Sequence, residues 1–150
     1  MIRISDIDED ANLQTGKVVF IDNELAENLK AYKVYENDLL ISQRGSLGLV
    51  SLVTKQFSGS VISANFIAVK KLKNILPDYL KTIFTLSIGN GQITRKTSGQ
   101  VQTKITTDDI KSILIPLPPK EIQDKIGAKM DDAYAAKKQK ECNISKTAER

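Results

Sequence analysis

Apolar positions in this chain fall into short runs, and the spacing within each run predicts what it forms. Leu39, Leu40 and Ile41 stand side by side, as do the residues of 49–53 (LVSLV) and of 66–69 (FIAV). Runs this short, bounded by polar residues, predict strands. Residues 17–21 (KVVFI) predict another, and Val61 adds strand character before the 66–69 run. Residues 113–115 (ILI) predict a buried strand, stopped by Pro116, Pro118 and Pro119, which have no N–H for a ladder. Residues 2–10 (IRISDIDED) read as a short strand entering an acidic, solvated turn with Asp6, Asp8, Glu9 and Asp10.

Other runs carry a helical period. In residues 23–30, Leu25 and Leu29 are spaced by four. In residues 76–88, Leu80, Ile83, Phe84 and Ser87 recur at helical spacing behind Pro77 and Asp78, which suit a helix start. Tyr79 reads as a packing residue. Thr106, Thr107, Asp108 and Asp109 offer hydroxyl and carboxylate caps for a short turn or helix. Pro119 opens a last helix running to about residue 136, with Ile122, Ile126, Met130 and Ala133 along one stripe. A stripe that narrow is a coiled-coil seam in form and calls for a partner helix. The plain alternative is a frayed terminal helix packed back on the core. The expectation is an α+β fold, a small mixed or antiparallel sheet with packed short helices, followed by a C-terminal helix. The expected division is 1–118 for the domain and 119–150 for the helix and its polar tail.

Composition narrows the function. The 150 residues suffice for one modest core. No apolar run approaches a membrane span, and no signal peptide is read at the start. Cys142 is alone, so neither a disulfide framework nor a metal cluster is expected; a cytoplasmic location fits. Histidine is absent, which removes the commonest general base. Tryptophan is absent and aromatics make up 5%, against a base-stacking single-strand binder.

Charge changes the picture more. The net charge is +4, but residues 1–40 carry four basic and nine acidic side chains, and residues 41–125 carry twelve basic and five acidic. Between residues 39 and 107, Asp78 is the sole acid against nine Lys or Arg. A long basic stretch poor in acid is what a phosphate-facing surface needs; the alternative is a solvated lysine-rich face. Two polar segments lie in it. Residues 42–48 (SQRGSLG) form a glycine loop in which Arg44 can offer a planar fork to phosphate or guanine. Residues 89–104 (GNGQITRKTSGQVQTK) read as a basic loop with no acid, rich in the side chains that read base edges.

Several of these segments resemble the DNA specificity subunits of type I restriction-modification systems (the HsdS family). Residues 98–126 end in IPLPPKEIQDKI, similar to the family's PLPP…EQ…I signature, where a target recognition domain gives way to a spacer helix. Here Ile122 splits the pair, giving Glu121 and Gln123. Residues 37–48 are similar to the family's GD-apolar-apolar-apolar-S-R-x-G-x-x-G segment, with Asn37 where glycine is usual; both tolerate a left-handed turn. ISANFIAVK, and Pro77, Tyr79 and Leu80, match further family segments. The family's IR-x-S/T-D-I segment follows a few tens of residues, so this chain is expected to start partway into the domain.

The resemblance spans roughly residues 2–126 and implies sequence-specific recognition of double-stranded DNA. It implies one half of a bipartite target, with spacer helices setting the gap. The implied partners are an adenine methyltransferase subunit (HsdM-like) and an ATP-driven restriction subunit (HsdR-like), which would hold AdoMet and ATP. Full subunits carry two recognition domains, so this chain would be a half subunit forming a homodimer or meeting a second recognition half, or else a fragment. With no Asn-Pro-Pro-Tyr/Phe motif and no Walker motif, no catalysis, cofactor or metal is assigned. Candidate DNA contacts are Ser42, Gln43, Arg44, Asn65, Asn90, Gln92, Arg95, Lys96, Ser98, Gln100, Gln102 and Lys104. Arg44 or Arg95 would read guanine, and Gln100 or Gln102 adenine. The candidate partner-helix interface is Ile122, Ile126, Met130 and Ala133. A nuclease would need clustered carboxylates beside a lysine, which the basic middle lacks. The main alternative is a protein-interaction module working through its C-terminal helix, with only non-specific DNA affinity.

Overall fold

The computed structural model describes residues 1–148 apart from Glu9, Gly45 and residues 98–103, and gives no side chain at Lys17, Lys138 or residues 141–148. Ser98, Gln100 and Gln102 therefore lie outside the described residues.

Strand β1 (Leu39–Ser42) runs between β2 (Val50–Leu52) and β3 (Phe66–Val69) in an antiparallel sheet of order β2-β1-β3. Leu39 pairs with Leu52 and Val69, and Ile41 with Val50 and Ile67. All four residues of β1 are buried. Successive side chains of a strand face opposite ways, so a strand covered on both faces is apolar without alternation. Leu39 and Ile41 join Val50, Leu80, Phe84 and Ile93 in one core, and Leu40 joins Ile2, Leu13, Val34 and Phe66 in a second.

Helices cover the first core. They are α2 (Pro77–Thr85), α3 (Ser87–Thr97) and α4 (Thr107–Lys111); α1 (Asn23–Asn28) lies earlier in the chain and buries no residue. α5 (Lys120–Ala148) follows the prolines. The fold is α+β, as the sequence predicts. The strands at 39–41, 49–53 and 66–69, the helix after Pro77 and the capped turn at residues 106–109 all form. Tyr79 packs as expected, buried with its hydroxyl donating to Pro116 O at 2.8 Å. Asn37 takes φ 72, the left-handed turn expected of it.

Five expectations fail. Residues 17–21 are not a strand: a 3-10 turn (Thr15–Lys17) leads into irregular chain, and Phe20 is 94% exposed, because among the described residues no neighbouring strand offers a ladder. The initial strand is a 3-10 turn (Ile4–Asp6), with only Ile2 bridging to Ile62. Its Asp6 is not solvated but buried, accepting from the Arg3 amide at 2.8 Å, Arg3 Nη2 at 3.3 Å and Ser5 Oγ at 3.2 Å. Residues 113–115 form no strand: Ile113 is buried, but Leu114 is 79% exposed and its backbone N–H and C=O bond to the Gln92 side chain. Residues 89–97 are not loop but the body of α3. Gly89 sets the corner there: a Cβ on it would stand 2.6 Å from Ile83 O, so only glycine lets α3 begin against the end of α2.

α4 opens on a capping box: the Asp109 amide donates to Thr106 Oγ1 at 3.2 Å, and the Thr106 amide donates to Asp109 Oδ2 at 2.9 Å. The Thr106 hydroxyl and amide hold the Asp109 carboxyl below the usual range, with Lys96 adding to the effect. A depressed folded pKa stabilises above the unfolded value and is lost as pH falls through the folded one. The stability lead of the protein over Asp109→Asn, followed by urea unfolding, should thus be flat from neutral pH to about 4 and shrink below that.

α5 docks on α2 through a polar joint. Gln123 is buried; its Oε1 accepts from the Leu76 amide at 2.8 Å, and its Nε2 donates to Asn74 O at 3.1 Å and Pro118 O at 2.9 Å. One turn on, Gly127 sits where a Cβ would be 3.3 Å from Asp78 Cβ. Gln123→Ala removes three hydrogen bonds to part-buried backbone groups and should cost about 1–3 kcal/mol in chemical denaturation.

Candidate nucleic-acid interface

The loop carrying Arg44 is tied from inside. Ser42 is fully buried; its hydroxyl donates to Ser46 O and accepts from the Leu49 amide at 2.9 Å. Ser42 thus supports the loop rather than facing solvent. Its backbone N–H also donates to Leu49 O at 2.9 Å, closing the neck. Arg44 stands exposed above this base.

Gln43 is the junction. Its amide donates to Asn65 O at 2.8 Å, its carbonyl accepts from the Ile105 amide at 3.1 Å, and its side chain donates to Ala64 O. The exposed Asn65, at the entry to β3, and Lys104, beside Ile105, are thereby brought to the Arg44 loop from positions far apart in sequence. The third neighbour is α3. Gly48 has φ +72, and a Cβ on it would stand 2.9 Å from Asn90 Oδ1. Gln43, Arg44, Asn65, Asn90 and Lys104 therefore surround one loop.

Along α3 the predicted contacts divide. Gln92 turns away: its Nε2 donates to Ile88 O at 2.7 Å and Leu114 O at 2.9 Å, and its Oε1 accepts from the Leu114 amide at 3.0 Å. It fastens residue 114 to the helix. Arg95 and Lys96 are exposed in the last turn, with Arg95 Nε donating to Gly91 O at 3.3 Å. Lys96 is near enough to Asp109 to lower its pKa.

Two anchors escaped the sequence reading. Asp38 is buried at the start of β1 and accepts from the Tyr35 amide at 2.9 Å, the Lys71 amide at 3.2 Å and Lys70 Nζ at 2.8 Å, tying that end of β1 to the end of β3. Ala11 takes φ 62 and is buried beside the Ser46–Gly48 turn, lining a hollow with Asn90 and Thr85. The aspartate following the expected left-handed residue was a usable signal; alanine gave none. Among the described residues, no group of three or more His, Cys, Asp or Glu could hold a metal, and no helix is long and apolar enough to cross a membrane.

On α5 the predicted stripe lies beside the Gln123–Gly127 joint. Ile122 is 42% exposed, Ile126 and Met130 are half-buried, and Ala133 is exposed.

The family described as the type I restriction modification DNA specificity domain matches residues 3–149. The chain belongs to that family. It is 23% identical over 135 residues to the EcoBI type I specificity subunit of Escherichia coli, covering 90% of this chain and 28% of that protein. It shares the fold of the HsdS subunit from Thermoanaerobacter tengcongensis, at TM-score 0.74 and 20% identity over 97% of this chain and 38% of that one. A chain solved in work on complex assembly and conformational transition of the type I R-M system gives TM-score 0.76, also at 20% identity, with 97% and 38% covered. This member of the specificity family thus spans well under half the length of these relatives.

The Gly48–Asn90 contact can be tested directly. Gly48→Ala places a side chain in the left-handed region and against Asn90, and should cost about 1–2 kcal/mol from the backbone alone. Asn90→Ala in that background should recover the contact part and leave the backbone part. A thermal-unfolding double-mutant cycle reads the difference.

Proposed function

We propose that this chain is a target recognition unit of a type I restriction-modification specificity subunit, reading one half of a bipartite site in double-stranded DNA. The recognition unit is residues 1–118, and residues 119–150 form the spacer helix and its tail. The observation that carries the reading is the meeting of Gln43, Arg44, Asn65, Asn90 and Lys104 around one stiff loop, on the part of the chain where Asp78 is the sole acid in nearly seventy residues. Lysines of that stretch hold phosphates, while Arg44, Arg95 and the segment with Gln100 and Gln102 reach base edges. Arg44 or Arg95 reads guanine through two parallel hydrogen bonds, and Gln100 or Gln102 reads adenine. α5 pairs through Ile122, Ile126, Met130 and Ala133 with a second helix, from another copy or a second recognition half. The assembly presents DNA to an adenine methyltransferase subunit and an ATP-driven restriction subunit; this chain contributes recognition and no catalytic group.

Selection from random duplex DNA, at low and physiological salt and with or without a methyltransferase subunit from the same source, tests this. Enrichment of one half-site that survives physiological salt, with or without the subunit, is expected. Binding that vanishes with salt and never enriches a sequence would leave the C-terminal helix as the working surface and the reading wrong. Within an enriched site, Arg44→Ala or Arg95→Ala should cost about 1–3 kcal/mol and relax preference at one position. If neither changes preference, the base-reading roles assigned to these arginines are mistaken.

A further inference from the structure

We propose that Ala11 is a positioning residue for the Arg44 loop: held in a strained turn, it walls the limb by which the loop returns to the sheet. The inference rests on the DNA reading above, and it names a residue that acts on recognition through the loop rather than by touching DNA.

The argument starts from a backbone angle. Among the described residues, Ala11 (φ 62) and Asn37 (φ 72) are the non-glycine residues in the left-handed region. Asparagine visits that region because its short polar side chain can bond locally. Alanine has no such bond and meets the clash of its Cβ with the following carbonyl. Glycine would hold the same turn without that clash. Strain of this kind persists only where the surroundings over-determine it, and it gathers at functional sites.

The surroundings of Ala11 do over-determine it. The Asp8 carboxylate accepts from the Asp10 amide at 3.0 Å, from the Asn12 amide at 2.8 Å and from the Gln14 side chain. The Asp8 amide donates to Asn12 O at 2.9 Å, and the Ala11 amide to Asp8 O at 3.1 Å. Lys81 Nζ donates to Asn12 Oδ1 at 3.2 Å, which docks the turn on α2. Ala11 is thereby carried inward, where it is 6% exposed.

What it meets there is the loop. Ala11 lines a hollow of about 270 Å³ together with Ser46, Leu47, Gly48 and Asn90. Residues 46–49 are the limb that brings the Arg44 loop back to β2. Ser42 Oγ holds the Ser46 carbonyl and the Leu49 amide of that limb, and Gly48 lies against Asn90. Ala11 supplies a further wall. A methyl is the smallest side chain that can do so. Glycine at this position would relieve the strain and remove the wall, so stability and loop order should part company there.

Ala11→Gly in the whole chain tests this by three readouts. The midpoint of thermal unfolding should stay at or above that of the parent, because the strain relieved offsets the methyl lost. Exchange of the Leu49 amide, which bonds to Ser42 Oγ at 2.9 Å, should quicken several-fold while the β1 amides exchange as in the parent. Affinity for the half-site enriched from random duplex DNA should fall several-fold. Binding to duplex lacking that site should not change, because no charge is altered. Ala11→Ser keeps the Cβ and should behave as the parent in all three. Leu49 exchange unchanged, a lowered midpoint with exchange quickened throughout the chain, or an Ala11→Ser variant as loose as Ala11→Gly would each overturn the proposal. A parent that enriches no half-site overturns the DNA reading and, with it, the role of Ala11. A parent that enriches one while Ala11→Gly binds it equally well overturns the role of Ala11 alone.

Discussion

The position of Arg44 depends on a hydroxyl that never meets solvent. Ser42 ends the central strand, and its Oγ bridges Ser46 O and the Leu49 amide inside the loop. Six residues between closed ends would otherwise sample many shapes, at a cost in conformational entropy when any ligand fixes one of them. The hydroxyl removes much of that freedom in advance. Gly48 removes more by turning left-handed onto Asn90, and Gln43 by bonding to both Asn65 and Ile105. Such a base fixes where the chain carries Arg44, and a contact made from a preorganised loop costs less ordering than one made from a loop that must first be shaped.

Much of this was legible, and the limits have physical reasons. β1, β2, β3 and α2 show in sequence because their apolar spacing matches the faces they bury. α3 does not, because Ser, Thr, Asn and Gly are weak helix formers. Its helix is held by what it touches: Ile93 in the core, Gly89 against Ile83 O, and Gln92 clasping residue 114. Residues 17–21 err the other way, with strand composition but no neighbouring strand, and propensity without a ladder yields none. In the candidate site, residue types were readable and their directions were not. Nothing in the sequence tells that Ser42 points inward and Gln92 toward Leu114, while Asn65 comes up beside Gln43 across more than twenty residues.

The charge asymmetry also looks different in three dimensions. The acidic first forty residues are not one acidic surface. Asp6 is buried against Arg3 and Ser5, and Asp38 against two amides and Lys70. Both are spent on structure, since a buried carboxylate persists only with donors around it. Their removal from the surface leaves less negative potential near the basic middle than the sequence count implies. The basic side keeps Arg44, Arg95 and Lys96 in solvent, where field lines reach an approaching polyanion.

The last helix shows why its joint is polar. Gln123 and Gly127 are four apart and face α2; Ile122, Ile126, Met130 and Ala133 follow the neighbouring stripe, about 100° around the axis. An apolar joint would hold α5 equally close but tolerate rotation, because dispersion and hydrophobic contact carry little direction. Hydrogen bonds do carry it. Three of them on one amide set how α5 is turned, so the direction in which its apolar stripe faces is fixed by the chain at Asn74, Leu76 and Pro118. Gln123 thereby fixes how the stripe of Ile122, Ile126, Met130 and Ala133 is turned relative to the sheet that carries the Arg44 loop, and losing its three directed bonds would free that angle before it freed the helix.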